Sequence, residues 1–132
     1  MLSDQKSTLK IGHFGKAKQA NCTQQHFITD CGTYGGYEAP EISLSLNPSY
    51  TNKIDVWSLG CVIYEIVTLD PAFEQKNLFE IARCVDSSFK PPKLSPIDQD
   101  HHVLQCLIDK MLLFDPDQRD SSRNLFKVIL IF

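Results

Sequence analysis

Residues 55–67 read Asp-Val-Trp-Ser-Leu-Gly-Cys-Val-Ile-Tyr-Glu-Ile-Val. Wound at 3.6 residues per turn, this stretch is apolar on nearly every face, the pattern of a helix lodged in the middle of a core. Thr51 or Asn52 can cap it, and Asp55 suits its first turn, where a carboxylate meets the positive end of the helix dipole. Downstream, a second helix is expected over 76–86, with Leu78, Ile81, Ala82 and Val85 on one face. Pro91, Pro92 and Pro96 punctuate the loop that follows. A third helix over 101–113 carries Val103, Leu104, Leu107, Ile108, Met111 and Leu112 as a stripe repeating at i, i+4 and i+8. It ends near Phe114, because the residue before Pro116 is biased away from helix. A last helix opens at Ser121 or Ser122 and buries Leu125, Val128 and Ile129. Upstream, Leu9-Lys10-Ile11 alternates as a short strand closed by Gly12, and residues 16–36 form a long polar loop of the kind that usually serves function. The expected architecture is mainly α.

The bulk properties exclude several classes. A chain of 132 residues is one domain or part of one, and 42% apolar with 22% charged residues is ordinary for a globular protein. A net charge of −3 is too mild to point to nucleic acid or an anionic membrane. The longest apolar run, Val128 to Phe132, is far short of a membrane span, and the polar start Met1–Lys6 is not of signal-peptide type. The expected partners are therefore proteins, with no nucleic acid and no membrane. Cysteines stand at 22, 31, 61, 84 and 106, an odd number with no C-x-x-C spacing, so free thiols are expected in a cytoplasmic or nuclear setting. Cys22 with His26, and the pair His101-His102, lack the companions of a tetrahedral site, so no metal site is expected.

Four local sequences occur in a definite order. Lys10-Ile11-Gly12-His13-Phe14-Gly15 resembles the K-I-x-D-F-G segment of protein kinases. Gly32-Thr33-Tyr34-Gly35-Gly36-Tyr37-Glu38-Ala39-Pro40-Glu41 resembles G-T-x-x-Y-x-A-P-E. Asp55-Val56-Trp57-Ser58-Leu59-Gly60 resembles D-x-W-S-x-G, and Asp115-Pro116-Asp117-Gln118-Arg119 resembles D-P-x-x-R. One such match is weak; four in register identify the chain as similar to the C-terminal (large) lobe of a serine/threonine protein kinase. Tyr64-Glu65-Ile66-Val67-Thr68-Leu69-Asp70-Pro71-Ala72-Phe73, which ends on a T-L-x-x-A-F pattern, and Phe89-Lys90-Pro91-Pro92 are similar to the NIMA-related branch.

The resemblance implies a partial kinase domain over 1–132, with an activation segment at about 13–41 that holds Phe14, Gly15, Thr29 and Thr33. The helical subdomain follows at about 42–132. It further implies a buried Glu41–Arg119 ion pair, an Asp55 that accepts N–H bonds from the catalytic loop, and a Trp57 that packs the central helix. The competing reading of Asp55 is a plain first-turn acid favoured by the helix dipole. Thr33 would line the pocket beside the acceptor hydroxyl, and Thr29 matches a usual phosphorylation position. Family members bind ATP and magnesium with a glycine-rich loop, a strand lysine, an H-R-D aspartate and an asparagine. None of these lies in the 132 residues, because Met1-Leu2-Ser3 aligns just after the catalytic loop. His13 stands where the family has its magnesium-binding aspartate, and imidazole suits zinc or copper rather than hard magnesium. No cofactor and no catalytic residue are therefore expected for the chain, whose isolated form is expected to be inactive. The alternative is a pseudokinase-like module that binds protein through the substrate-docking lobe. The resemblance also implies that the central helix needs a preceding long helix as partner, so Val56, Leu59, Ile63 and Ile66 are expected to face water here.

Overall fold

The computed structural model describes residues 10–12, 14–17, 27–28, 36–43, 49–73, 92–94 and 99–129. Among the described residues four helices carry the architecture: α1 (Pro40–Ser43), α2 (Lys53–Thr68), α3 (Gln99–Met111) and α4 (Ser122–Ile129). Two short antiparallel strands, β1 (Phe27–Ile28) and β2 (Ser49–Tyr50), pair Phe27 with Tyr50 and Ile28 with Ser49. The expected helix over 76–86 lies outside the described residues.

The strand expected at Leu9–Ile11 is a correction. Lys10–Gly12 carries no ladder, and the Ile11 side chain is 88% exposed. Alternation alone makes no strand without a neighbour to pair with, and the described ladder joins β1, in the long loop, to β2 beyond α1.

The start of α2 settles the choice between its two candidate caps. Thr51 Oγ1 accepts the Lys53 N–H at 3.2 Å and the Thr51 carbonyl accepts the Ile54 N–H at 3.3 Å, whereas the Asn52 side chain makes no capping bond. The helix stops at Leu69, which takes a left-handed φ of 62° and donates its N–H to the Glu65 carbonyl at 2.8 Å. This is the usual helix-ending geometry, filled here by a leucine in place of the favoured glycine.

Helix α2 packs on α3 through one side. Trp57 and Cys61 join Ala39, Phe73, Ile108 and Leu112 in the main cluster, while Val56 joins Leu107, Met111 and Leu125 in a second cluster. Gly60 sits where the helices approach closest. A Cβ there would lie 2.8 Å from Leu112 Cδ2 and 3.0 Å from Met111 Cβ, so only glycine allows this spacing. The α3 stripe appears as expected: Leu107, Ile108, Met111 and Leu112 are buried, with Val103 and Leu104 half-buried. Helix α3 starts at Gln99 and ends at Met111, two residues earlier at each end than expected, and a guanidinium described below donates to the Leu113 and Phe114 carbonyls beyond it. Helix α4 begins after Ser121, whose Oγ accepts the Asn124 N–H at 3.3 Å, the N-cap bond that serine favours.

The other side of α2, apolar as its sequence is, lies open. Leu59 is 52% exposed, Val62 40% and Ile66 68%. These positions line up at i, i+3 and i+7, opposite Val56, Trp57, Gly60 and Cys61. Leu59 and Ile66 face water as expected. Val56 does not, because Leu107, Met111 and Leu125 cover it, and Ile63 is half-buried between the two clusters. An exposed stripe of this kind is expected to bind the dye ANS and to draw copies together at high concentration. Replacing Leu59 and Ile66 together with glutamate should remove most of the dye signal, as read by fluorescence and sedimentation. An unchanged signal would place the exposed apolar surface elsewhere.

Candidate functional site

The loop from Leu112 to Ser121 is built by its acids and proline. Asp115 accepts twice, through Oδ1 from the Asp117 N–H at 2.9 Å and through its carbonyl from the Arg119 N–H at 3.2 Å. This is the local side-chain-to-backbone bonding by which aspartate makes turns. Lys110 helps close the loop: its carbonyl accepts the Asp120 N–H at 3.2 Å and its ammonium pairs with the Asp120 carboxylate at 3.5 Å. The turn drives Arg119 inward, where it is 1% exposed.

All three guanidinium nitrogens of Arg119 donate. Nη1 reaches Glu41 Oε1 at 2.8 Å and the Lys53 carbonyl at 2.8 Å. Nη2 reaches Glu41 Oε2 at 3.1 Å and the Leu113 carbonyl at 2.9 Å, while Nε takes the same carbonyl at 3.0 Å. Lys53 returns the contact by donating its ammonium to the Arg119 carbonyl. Arg119 thus caps the end of α3, holds the first residue of α2 and clamps Glu41 of α1 in a two-pronged pair. Such fork-to-carboxylate geometry is what arginine supplies and lysine cannot. The guanidinium carbon of Arg119 lies over the Trp57 ring, 5.1 Å from its centroid, and Trp57 stacks on Phe73 with centroids 5.2 Å apart and planes 13° from parallel.

Glu41 is positioned by Pro40, which opens α1 at the position where its missing N–H costs nothing. The Ala39 carbonyl accepts from Ile42 at 3.0 Å and from Ser43 at 3.2 Å, and the Ser43 hydroxyl donates to Glu38 at 2.6 Å. Just before it, Tyr37 donates its hydroxyl to the Glu65 carboxylate, and the Ser58 hydroxyl donates to the Tyr37 carbonyl at 2.8 Å. The hydrogen bond to Glu65, with lesser help from desolvation, holds the Tyr37 phenol above the usual tyrosine range. Two bonds therefore fix the 36–38 turn onto α2. Gly36 is needed there, since a Cβ would collide with the Phe73 carbonyl oxygen. Three residues, Tyr34 to Gly36, separate Thr33 from Tyr37, one more than in the G-T-x-x-Y pattern.

The remaining expected residues fall as follows. Phe14 and Gly15 lie in a single 3₁₀ turn, Phe14–Lys16, and both are exposed, Phe14 by 66%. His13, Thr29 and Thr33 lie outside the described residues. Cys61 is buried, which pushes its thiol up to about 12 and leaves it inert, and both described cysteines, Cys61 and Cys106, are free as expected. Among the described residues no group of three metal-ligating side chains converges. No described helix is long and apolar enough to cross a membrane.

Asp55 heads the exposed stripe of α2. Among the described residues nothing donates to its carboxylate, and partial desolvation against the neighbouring chain raises its pKa above the ordinary value even though the residue is exposed. The folded chain therefore holds this proton more tightly than the unfolded chain does. The associated stability is fully present below the ordinary aspartate range and is lost as pH rises through the folded value. Asp55→Asn is expected to be as stable as the parent or more so at pH 7. That advantage should vanish near pH 3.5, below the ordinary value of about 3.9. Urea titrations at the two pH values test this; a variant weaker at pH 7 would mean that the helix dipole, or donors in this chain, favour the carboxylate by more than desolvation disfavours it.

The protein kinase domain family matches residues 1–130. The chain belongs to the protein kinase family. Within it the similarity runs to NIMA-related serine/threonine kinases. The chain is 35% identical over 126 residues to the serine/threonine-protein kinase Nek5 of Mus musculus, covering 96% of the chain and 19% of that relative. It is 36% identical over 123 residues to the probable serine/threonine-protein kinase nek3 of Dictyostelium discoideum, covering 93% of the chain and 10% of the relative. The serine/threonine-protein kinase nekl-2 of Caenorhabditis elegans is 31% identical over 131 residues, covering 99% of the chain and 35% of its own length. The chain thus spans roughly a third or less of these relatives. The NIMA-related resemblance read at residues 64–73 and 89–92 agrees with them.

Sequence reasoning from periodicity missed the Tyr37–Glu65 contact. A signal was present, because Glu65 is the one charged residue between Val56 and Val67, and a lone acid in so apolar a helix implies a partner.

Proposed function

We propose that the chain is the C-terminal lobe of a serine/threonine protein kinase domain, with its activation segment at about 13–41 and its helical base at about 42–132. We further propose that these 132 residues alone do not transfer phosphate. The observation that carries the lobe assignment is the two-pronged Arg119–Glu41 pair, which joins residues 78 apart in sequence at the positions the D-P-x-x-R and A-P-E motifs mark. Protein kinases use ATP and magnesium, and their catalysis is mostly positioning and charge stabilisation by a phosphate-covering loop, a strand lysine and a catalytic aspartate. This sequence contains none of these, and His13 replaces the metal-binding aspartate with a poor ligand for magnesium. In this reading Phe14, Gly15, Thr29 and Thr33 belong to the activation segment, and Asp55 awaits N–H donors from a catalytic loop. The partner is a protein, either a substrate or a regulator. Incubation with radiolabelled ATP, magnesium and casein is expected to give no labelled product. Transfer above a heat-killed control would overturn the claim of inactivity.

His13 also favours a second reading, a pseudokinase-like module that holds a protein partner through the same lobe. The two separate on the DNA upstream of the Met1 codon. In-frame H-R-D and glycine-rich segments there support a longer kinase, and a start codon without them supports the binding module.

A further inference from the structure

We draw no further inference here: the strongest candidate, the exposed apolar stripe of Leu59, Val62 and Ile66 along α2 with Asp55 at its head, carries nothing because no described residue shows what covers it.

Discussion

Arg119→Leu is expected to abolish the packed structure around Trp57. The side chain is almost wholly buried and donates to Glu41 and to the carbonyls of Lys53 and Leu113. Leucine leaves the Glu41 carboxylate, only 12% exposed, without its cation. Removing one partner of a buried pair costs about 3–5 kcal/mol, because the other charge is stranded. The stranded carbonyls add to that, since a buried acceptor without a donor costs about 1–3 kcal/mol. A small domain has a margin of about 5–15 kcal/mol, so the sum approaches the whole. Trp57 is the only tryptophan and lies directly against the guanidinium, so its near-UV circular dichroism band reports the loss. Glu41→Gln should cost less, because an amide oxygen still accepts one of the two bonds. Arg119→Lys should fall nearer to leucine than to the parent, since an ammonium cannot serve Glu41, Lys53 and Leu113 together. If Arg119→Leu kept the parent's near-UV spectrum and its amide protection in α2, the guanidinium would not be the junction of the three helices.

The second large effect is expected at Trp57 itself. Its side chain is fully buried, between the Phe73 ring on one side and Arg119 on the other. Truncation to alanine opens a cavity bounded by the backbone of α2 and by α3, and neither can close on it without moving the Gly60 contact. Large aromatic-to-alanine changes in cores cost about 3–5 kcal/mol. Trp57→Phe should recover much of this, because a smaller ring can still stack on Phe73 and meet the guanidinium. Amide hydrogen exchange in α2 is the readout. Protection should fall along the whole helix in the alanine variant and only partly in the phenylalanine variant. Equal protection in all three forms would show that Trp57 fills space without organising the core.

What was legible in the sequence depended on how local the physics was. The α3 stripe could be read because Leu104, Leu107, Ile108 and Met111 need only the helix period to share a face. The opening of α4 could be read because Ser121 caps within three residues of itself. Helix α2 was legible as a helix but not in its orientation. Leu59 and Val56 are equally apolar, and only the neighbours decide that Val56 meets Leu125 while Leu59 meets water. The position of α3 was read two residues late at each end for a similar reason, as the chain's turn after Met111 is held by a guanidinium several residues further on. The Glu41–Arg119 pair spans 78 positions and no periodicity reaches it; the motif resemblance alone pointed to it. Alternation at Leu9–Ile11 misled because a strand is a property of two segments.

The central proposal is that this protein kinase family chain does not by itself hold nucleotide. The most direct test is isothermal titration of the 132-residue chain with magnesium-ATP, run beside the His13→Asp variant. Neither protein is expected to release or take up heat beyond dilution, because the phosphate-covering loop, the strand lysine and the catalytic loop are all missing. Saturable, magnesium-dependent binding by the parent chain would contradict the account.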